Sequence, residues 1–248
     1  MPEIAIETRD GLCRSFLYHP DGQGPWPAVL LYMDGPGMRP AVQEVAQRLA
    51  THGYLVLLPD LFYRSGPYEP IDAKTVWANP ELREQHRAKF MAPATPERIM
   101  SDTGYFLDYL AGREDVAPGP IGVTGYCMGG RFSLLAAANY PDRIAVAASY
   151  HGGGLVGDAL SSPHRQAGKI KAKIYVAGAI QDPNFTDEQK QTLIEALTEA
   201  GIDHKVETYP AKHGWVLRDM AVHDAACAER HWATLVPLLN GVLKLGLA

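Results

Sequence analysis

The chain has 248 residues, 46% hydrophobic and 21% charged, with a formal net charge of −5. That is ample apolar material for one α/β domain, and the mildly acidic balance without a basic run disfavours nucleic acid and anionic lipid as partners. Three widely spaced cysteines (Cys13, Cys127, Cys227) argue against a disulfide framework and for a reducing compartment. Residues 1–10 lack the basic start and long apolar stretch of a secretory signal, and no apolar run is long enough to span a bilayer. The expectation is a cytoplasmic protein without metal or cofactor, not bound to nucleic acid or membrane, and either a monomer or a homodimer.

Residues 4–6 and 12–18 read as an opening antiparallel hairpin around Arg9-Asp10-Gly11. Residues 28–32 form a continuous apolar run, as expected of a strand buried on both faces, and Asp34-Gly35-Pro36-Gly37 after it requires a loop. A helix over 41–51 and a second buried strand over 54–58 follow. Residues 60–96 interrupt this rhythm with five prolines. Residues 80–91 of that segment can be helical, and the whole reads as a cap or excursion over a site. Framework helix 97–110 comes next, with Thr95 ahead of Pro96 as its cap. Strands over 121–124, 144–149, 172–177 and 204–209 then alternate with helices over 127–139, 186–200 and 221–239, and a glycine-rich loop of undefined content covers 150–168. This alternation predicts a mainly parallel sheet flanked by helices, an α/β-hydrolase-like arrangement in one domain over 1–248.

Gly125-Tyr126-Cys127-Met128-Gly129-Gly130 lies directly between a buried strand and a helix. The pattern Gly-x-nucleophile-x-Gly is that of a nucleophile elbow: a tight turn lifts the side chain above the sheet edge at a helix N-terminus, where the dipole and free N–H groups favour a thiolate and an oxyanion. A small buried cysteine in an ordinary strand–helix turn has the same sequence, so the motif alone does not decide. Asp182 follows the strand over 172–177 and His213 follows the strand over 204–209. Nucleophile, acid and base thus occur in the order of the α/β-hydrolase fold, each past a strand's C-terminal end. In that arrangement His213 takes the proton of Cys127, and Asp182 orients the imidazole and stabilises its cationic form.

These segments, with Leu58-Pro59-Asp60-Leu61-Phe62 and His213-Gly214-Trp215, resemble the dienelactone hydrolase family from about residue 4 to residue 239. The resemblance implies hydrolysis of small lactones or activated esters by a Cys-His-Asp triad without a metal. It also implies a carboxylate near the thiol that helps to activate it. Asp34 stands there where the family usually has Glu, and a turn-forming Asp before Gly is the competing reading. By the same resemblance the backbone N–H groups of Gly35 and Met128 form the oxyanion hole, and Arg83 and Arg218 hold a substrate carboxylate. Tyr126, Tyr150 and Trp215 are candidate pocket walls, as are Tyr63, Tyr68, Trp77 and His151, with core packing as the default for each. The leading expectation is a carboxylic ester or lactone hydrolase acting through a thioester; the alternatives are an acyl or thioester transferase on the same triad and a small-molecule receptor of low turnover.

Overall fold

A computed structural model describes residues 3–244. The opening hairpin pairs β1 (Glu3–Thr8) with β2 (Gly11–Tyr18), and the Thr8 hydroxyl donates to the Gly11 carbonyl at 2.7 Å to close the turn. β3 (Ala28–Tyr32), α1 (Pro40–Thr51) and β4 (Leu55–Pro59) follow. Beyond residues 60–96 come α4 (Pro96–Ala111), β5 (Ile121–Tyr126), α5 (Met128–Asn139), β6 (Ile144–Tyr150), β7 (Lys173–Ala179), α6 (Asp187–Glu199), β8 (His204–Tyr209) and α7 (Ala225–Leu243). The strands form one eight-stranded sheet in the order β1-β2-β4-β3-β5-β6-β7-β8. β1–β2 and β2–β4 are antiparallel, and every other pairing is parallel.

The strand order reverses beside β3. The chain leaves β3 for β4 on one side and returns with β5 on the other. In open α/β sheets such a switch opens a crevice at the strands' C-terminal ends. The register Tyr32↔Gly125 sets the loop after β3 beside the turn after β5.

β3, β4 and β5 are buried at every residue, as strands covered on both faces must be. α1 turns Val42, Val45, Ala46 and Leu49 inward at helical spacing, while α6 opens on a capping box in which Thr186 and Gln189 each satisfy the other's backbone N–H. α7 begins at Ala225 rather than near 221, because the Asp224 side chain accepts from the Cys227 N–H at 2.8 Å and fixes the first turn there. The undefined loop after β6 holds a short 3-10 stretch, Pro163–Lys169.

The interrupting segment contains α2 (Ala73–Ala78) and α3 (Pro80–His86), capped by the Asp72 and Asn79 side chains, and then a wide turn of π type over Arg87–Met91. The sequence predicts only the helix beginning at residue 80; α2 is set by its Asp72 cap and carries too little apolar periodicity to be read in advance. The segment is tied down at its start. Arg64 donates two hydrogen bonds of 2.7 Å to Asp102 on α4 and one of 2.8 Å to Asp10. The Tyr68 hydroxyl donates to Asp60 at 2.7 Å and accepts from the Met38 N–H at 3.1 Å.

The Asp102 side chain is 0% exposed and that of Arg64 10% exposed. Arg64→Met should strand the buried carboxylate and lower unfolding stability by about 3 kcal/mol, read as a reduced urea midpoint. An unchanged midpoint would show that Asp102 is satisfied without Arg64.

Candidate active site

The elbow is fixed by close backbone approach. A Cβ added at Gly125 would lie 2.3 Å from the Gly129 carbonyl oxygen, and one added at Gly129 would lie 2.5 Å from that of Met33. Both positions therefore require glycine, and the chain can turn from β5 into α5 only sharply. Cys127 absorbs the turn at φ 54°, ψ −116°, a conformation side chains rarely adopt and one that marks strained functional turns. As the cap of α5 it stands in the positive field of the helix. Its N–H points toward the Tyr150 carbonyl at 3.1 Å and His151 Nδ1 at 3.2 Å. His151 accepts there, so its proton sits on Nε2, and complete burial holds its pKa well below the ordinary value. A neutral imidazole thus braces the turn from below.

His213 comes to the same place from the loop after β8. Its Nδ1–H donates to Asp182 Oδ2 at 2.7 Å, and the Cys127 sulfur is near enough for its charge to act on the ring. Asp182 Oδ1 accepts from the Asn184 N–H at 2.9 Å and the Asn184 side-chain amide at 3.0 Å. Burial pushes the Asp182 carboxyl up, but the donors from His213 and Asn184 outweigh it and leave its pKa below the ordinary value. For His213 burial works against the charged form; the neighbouring Cys127 sulfur and the Asp182 carboxylate prevail and raise its pKa to about 10. Cys127, His213 and Asp182 therefore meet at one point above the sheet.

The loop after β3 runs past this point. Met128 is the first residue of α5, where the N–H has no intrahelical acceptor, and the Gly35 N–H has no backbone acceptor among the described residues. The Gly35 carbonyl accepts from His86 Nε2 at 2.8 Å, and a Cβ at Gly35 would meet Trp77 and Met91 at 3.2 Å. Residues 60–96 thus pack directly on the loop that carries the expected oxyanion donor.

Asp34 is expected beside the thiol, but both of its carboxylate oxygens accept from Arg39. Nη2 reaches it at 3.0 Å and Nη1 completes a bidentate pair. Arg39 is 1% exposed and also donates through Nε to Asp219 at 2.6 Å and through Nη1 to the Gly37 carbonyl at 3.0 Å. This ion triad, buried at Asp34 and Arg39 and half-buried at Asp219, joins the loop after β3 to the loop that carries His213.

The expected substrate-binding residues are dispersed. Tyr126, Tyr150 and Trp215 are each 0% exposed. Their rings pack with His231, Tyr175 and Tyr209 in the core beneath the site, so they support it and present no surface to a ligand. Arg83 is exposed on α3 and donates to the Trp77 carbonyl at 3.4 Å. Arg218 forms a bidentate surface pair with Glu44 of α1, in a separate groove between α1 and α7. The cavity adjoining the elbow, about 380 Å³, is bordered instead by Met128, Arg131 and Gly153 on the sheet side and by Arg87, Ala88 and Met91 on the other.

The sequence profile of the dienelactone hydrolase family matches residues 13–243. The chain belongs to that family. As a member it is a hydrolase acting on lactones or esters. It is 24% identical over 247 residues to the "Putative carboxymethylenebutenolidase" of Synechocystis sp., covering 97% of this chain and 96% of that one. It is 28% identical over 153 residues, 61% of each chain, to a carboxymethylenebutenolidase of Pseudomonas putida. The structure superposes on that of a "Putative Dienelactone Hydrolase" from Klebsiella pneumoniae with a TM-score of 0.82, at 21% identity over 96% of this chain and 97% of that one; this likeness establishes the α/β-hydrolase fold.

Three residues at this dienelactone hydrolase-type site escape the sequence reading, Arg39, Arg131 and Asn184, while His151, read as a candidate pocket wall, is buried and accepts from the Cys127 N–H. Only Arg131 leaves a usable signal, because a residue four beyond the cap of a helix shares its face. Arg39 and Asn184 are local partners of recognised carboxylates, and the role of His151 as a brace of the elbow emerges only once β6 is placed beside β5.

Two outcomes follow from the ionic geometry. Asp34→Asn should leave Arg39 half-paired in the interior and cost about 2–4 kcal/mol of stability by urea unfolding. A stable variant whose Cys127 alkylates much more slowly would instead make Asp34 an activator of the thiol. The raised pKa of His213 means that its contribution to stability is complete below about pH 6.5, the ordinary histidine value, and fades as pH rises toward about 10. The stability advantage of wild type over His213→Gln should therefore shrink between pH 6 and pH 10, and an advantage that grows over this range would contradict the assignment.

Proposed function

We propose that this dienelactone hydrolase family member cleaves small lactones or activated esters through a Cys127-His213-Asp182 triad and a thioester intermediate. The observation that carries the reading is the convergence of three groups: a cysteine at a helix N-terminus, an imidazole that feels its charge, and a buried carboxylate on the imidazole's Nδ1. The Cys127 thiolate adds to the carbonyl carbon, with His213 holding the thiol proton. The carbonyl oxygen gains negative charge where the Gly35 and Met128 N–H groups can receive it. Collapse of the adduct breaks the bond to the alcohol oxygen, which takes the proton from His213. Water then attacks the thioester, giving a proton to His213 and regenerating the thiol. A thiolate leaves a tetrahedral adduct readily, so turnover favours substrates whose own leaving group departs easily, activated esters and strained lactones ahead of amides. In this reading residues 1–248 act as one domain, and residues 60–96 wall the site through Trp77, His86 and Met91.

Short-chain p-nitrophenyl esters and a panel of small lactones, offered to wild type and Cys127→Ala, test the reading. Wild type should turn over, the variant should lose about a thousandfold or more, and mass spectrometry should find an acyl group on Cys127 during turnover. Activity retained by Cys127→Ala would remove the nucleophile. Exchange products formed with an added alcohol in place of free acid would make the enzyme a transferase.

A further inference from the structure

His151 has no step in the proposed mechanism, yet it touches two groups that do. Its Nδ1 accepts from the Cys127 N–H at 3.2 Å and shares that donor with the Tyr150 carbonyl at 3.1 Å. Its ring meets the His213 ring edge to face, with centroids 5.2 Å apart and planes at 61°. Trp215 packs on it at 4.8 Å, and Tyr126, the residue before Cys127, at 5.9 Å. The side chain is buried, so these contacts and not solvent fix where it stands.

The fold gives up stability to keep an imidazole there. His151 has φ 40°, in the left-handed region, and among the described non-glycine residues only Cys127 and Gln181 share that sign. Both members of the Cys127–His151 contact are therefore strained. Because Nδ1 accepts, the ring proton is on Nε2, and Nε2 is buried without an acceptor among the described residues. A buried N–H left unpaired is destabilising, and an aliphatic side chain would avoid that cost. Packing alone thus gives no reason for an imidazole at this position; the accepting Nδ1 does. A proton on that atom would meet the Cys127 N–H head-on and set a cation beside His213. Burial, and after it the neighbouring His213 and His231, keep that proton off.

We propose that His151 is a positioning residue of the reaction: as a neutral acceptor it sets the Cys127 backbone, and through its ring the His213 imidazole, so that sulfur and imidazole stay aligned for proton transfer. The assignment takes its meaning in turnover from the hydrolase reading above, but the reactivity of the thiol tests it without turnover. The Tyr150 carbonyl alone holds the Cys127 N–H along one direction. A second acceptor from the side narrows the angle through which the peptide before Cys127 can rock, and that peptide carries the residue that bears the sulfur. Alignment of this kind matters to rate, since a displacement of about 1 Å can cost on the order of a hundredfold. What the site requires of His151 is its acceptor atom and not its bulk.

Three variants separate the acceptor from the packing. His151→Asn keeps an oxygen near the place of Nδ1 and tolerates a positive φ, His151→Leu keeps much of the volume without an acceptor, and His151→Gly tolerates the φ but keeps neither. His151→Leu and His151→Gly should each lower kcat for a p-nitrophenyl ester about tenfold with KM little changed, and slow alkylation of Cys127 by iodoacetamide by a similar factor. His151→Asn should stay within about threefold of wild type in both. Urea midpoints show that each variant is assayed folded. A second measurement needs no variant: the imidazole 15N resonances of wild type should show His151 as the neutral tautomer with its proton on Nε2. If wild type cleaves no ester, the alkylation rates and the tautomer still decide the role of His151, and only the hydrolase reading suffers. A proton on Nδ1, wild-type reactivity in His151→Leu and His151→Gly, or a loss in His151→Asn as large as theirs overturns the assignment.

Discussion

The site depends first on a contact between backbones. Gly125 and Gly129 let the end of β5, the start of α5 and the carbonyl of Met33 approach so closely that no Cβ fits between them. Everything at the reacting centre inherits its position from that contact. The turn becomes so tight that Cys127 must take a positive φ, which lifts its side chain off the sheet edge and leaves the following N–H groups free at the helix start. The strain has to be balanced elsewhere, and the flanking strands supply the balance: β5 is buried along its length between β3 and β6, and the Cys127 N–H is received by the Tyr150 carbonyl and His151. A strained turn at the edge of a loose sheet would relax; between two buried parallel neighbours it cannot.

A second constraint acts sideways. The loop after β3 and the loop after β8 start from strands four positions apart in the sheet, and nothing in the strand pairing fixes their relative height. Arg39 does so by binding Asp34 on one and Asp219 on the other. Buried ion pairs contribute little net stability, because desolvation consumes most of the Coulombic gain. Their value is geometric, since a planar guanidinium held at both edges allows few arrangements of what it joins. In the proposed mechanism the joined pieces carry the Gly35 N–H and His213, which face the same carbonyl group from different directions. His86 adds a third tie by donating to the Gly35 carbonyl from the segment over residues 60–96.

Much of this was legible in the sequence. The strands over 28–32 and 204–209 have the predicted bounds, because each lies between clear breakers: Pro27 and Met33-Asp34-Gly35 for the first, Gly201 and Pro210 for the second. The elbow was legible because its glycines are imposed by backbone sterics, and Asp182 and His213 because both follow strands in the expected order. What stayed hidden was lateral. Sequence periodicity does not say which side of the sheet the ring of a residue at a strand's end will take, so Tyr126 and Tyr150 are plausible pocket walls on paper and core residues in three dimensions. Arg218 likewise follows His213 closely in sequence, yet the turn at Gly214, with φ 101°, sends the chain toward α1 and its Glu44. Asp34 read as either an activator or a turn residue; its pairing with the guanidinium of Arg39 could not be read in advance, because it depends on how the loop folds back on itself.

The electrostatic design of the site follows from these positions. Cys127 is approached by several sources of positive potential: the dipole of α5, the imidazole of His213 backed by Asp182, and Arg131 one turn up the helix. The other nearby charges are neutralised in place, since Arg39 is matched by Asp34 and Asp219, and His151 is kept uncharged by burial. The surviving positive field is therefore concentrated beside Cys127, where the proposed mechanism places its oxyanion, in a cleft partly shielded from water, where such charges act most strongly.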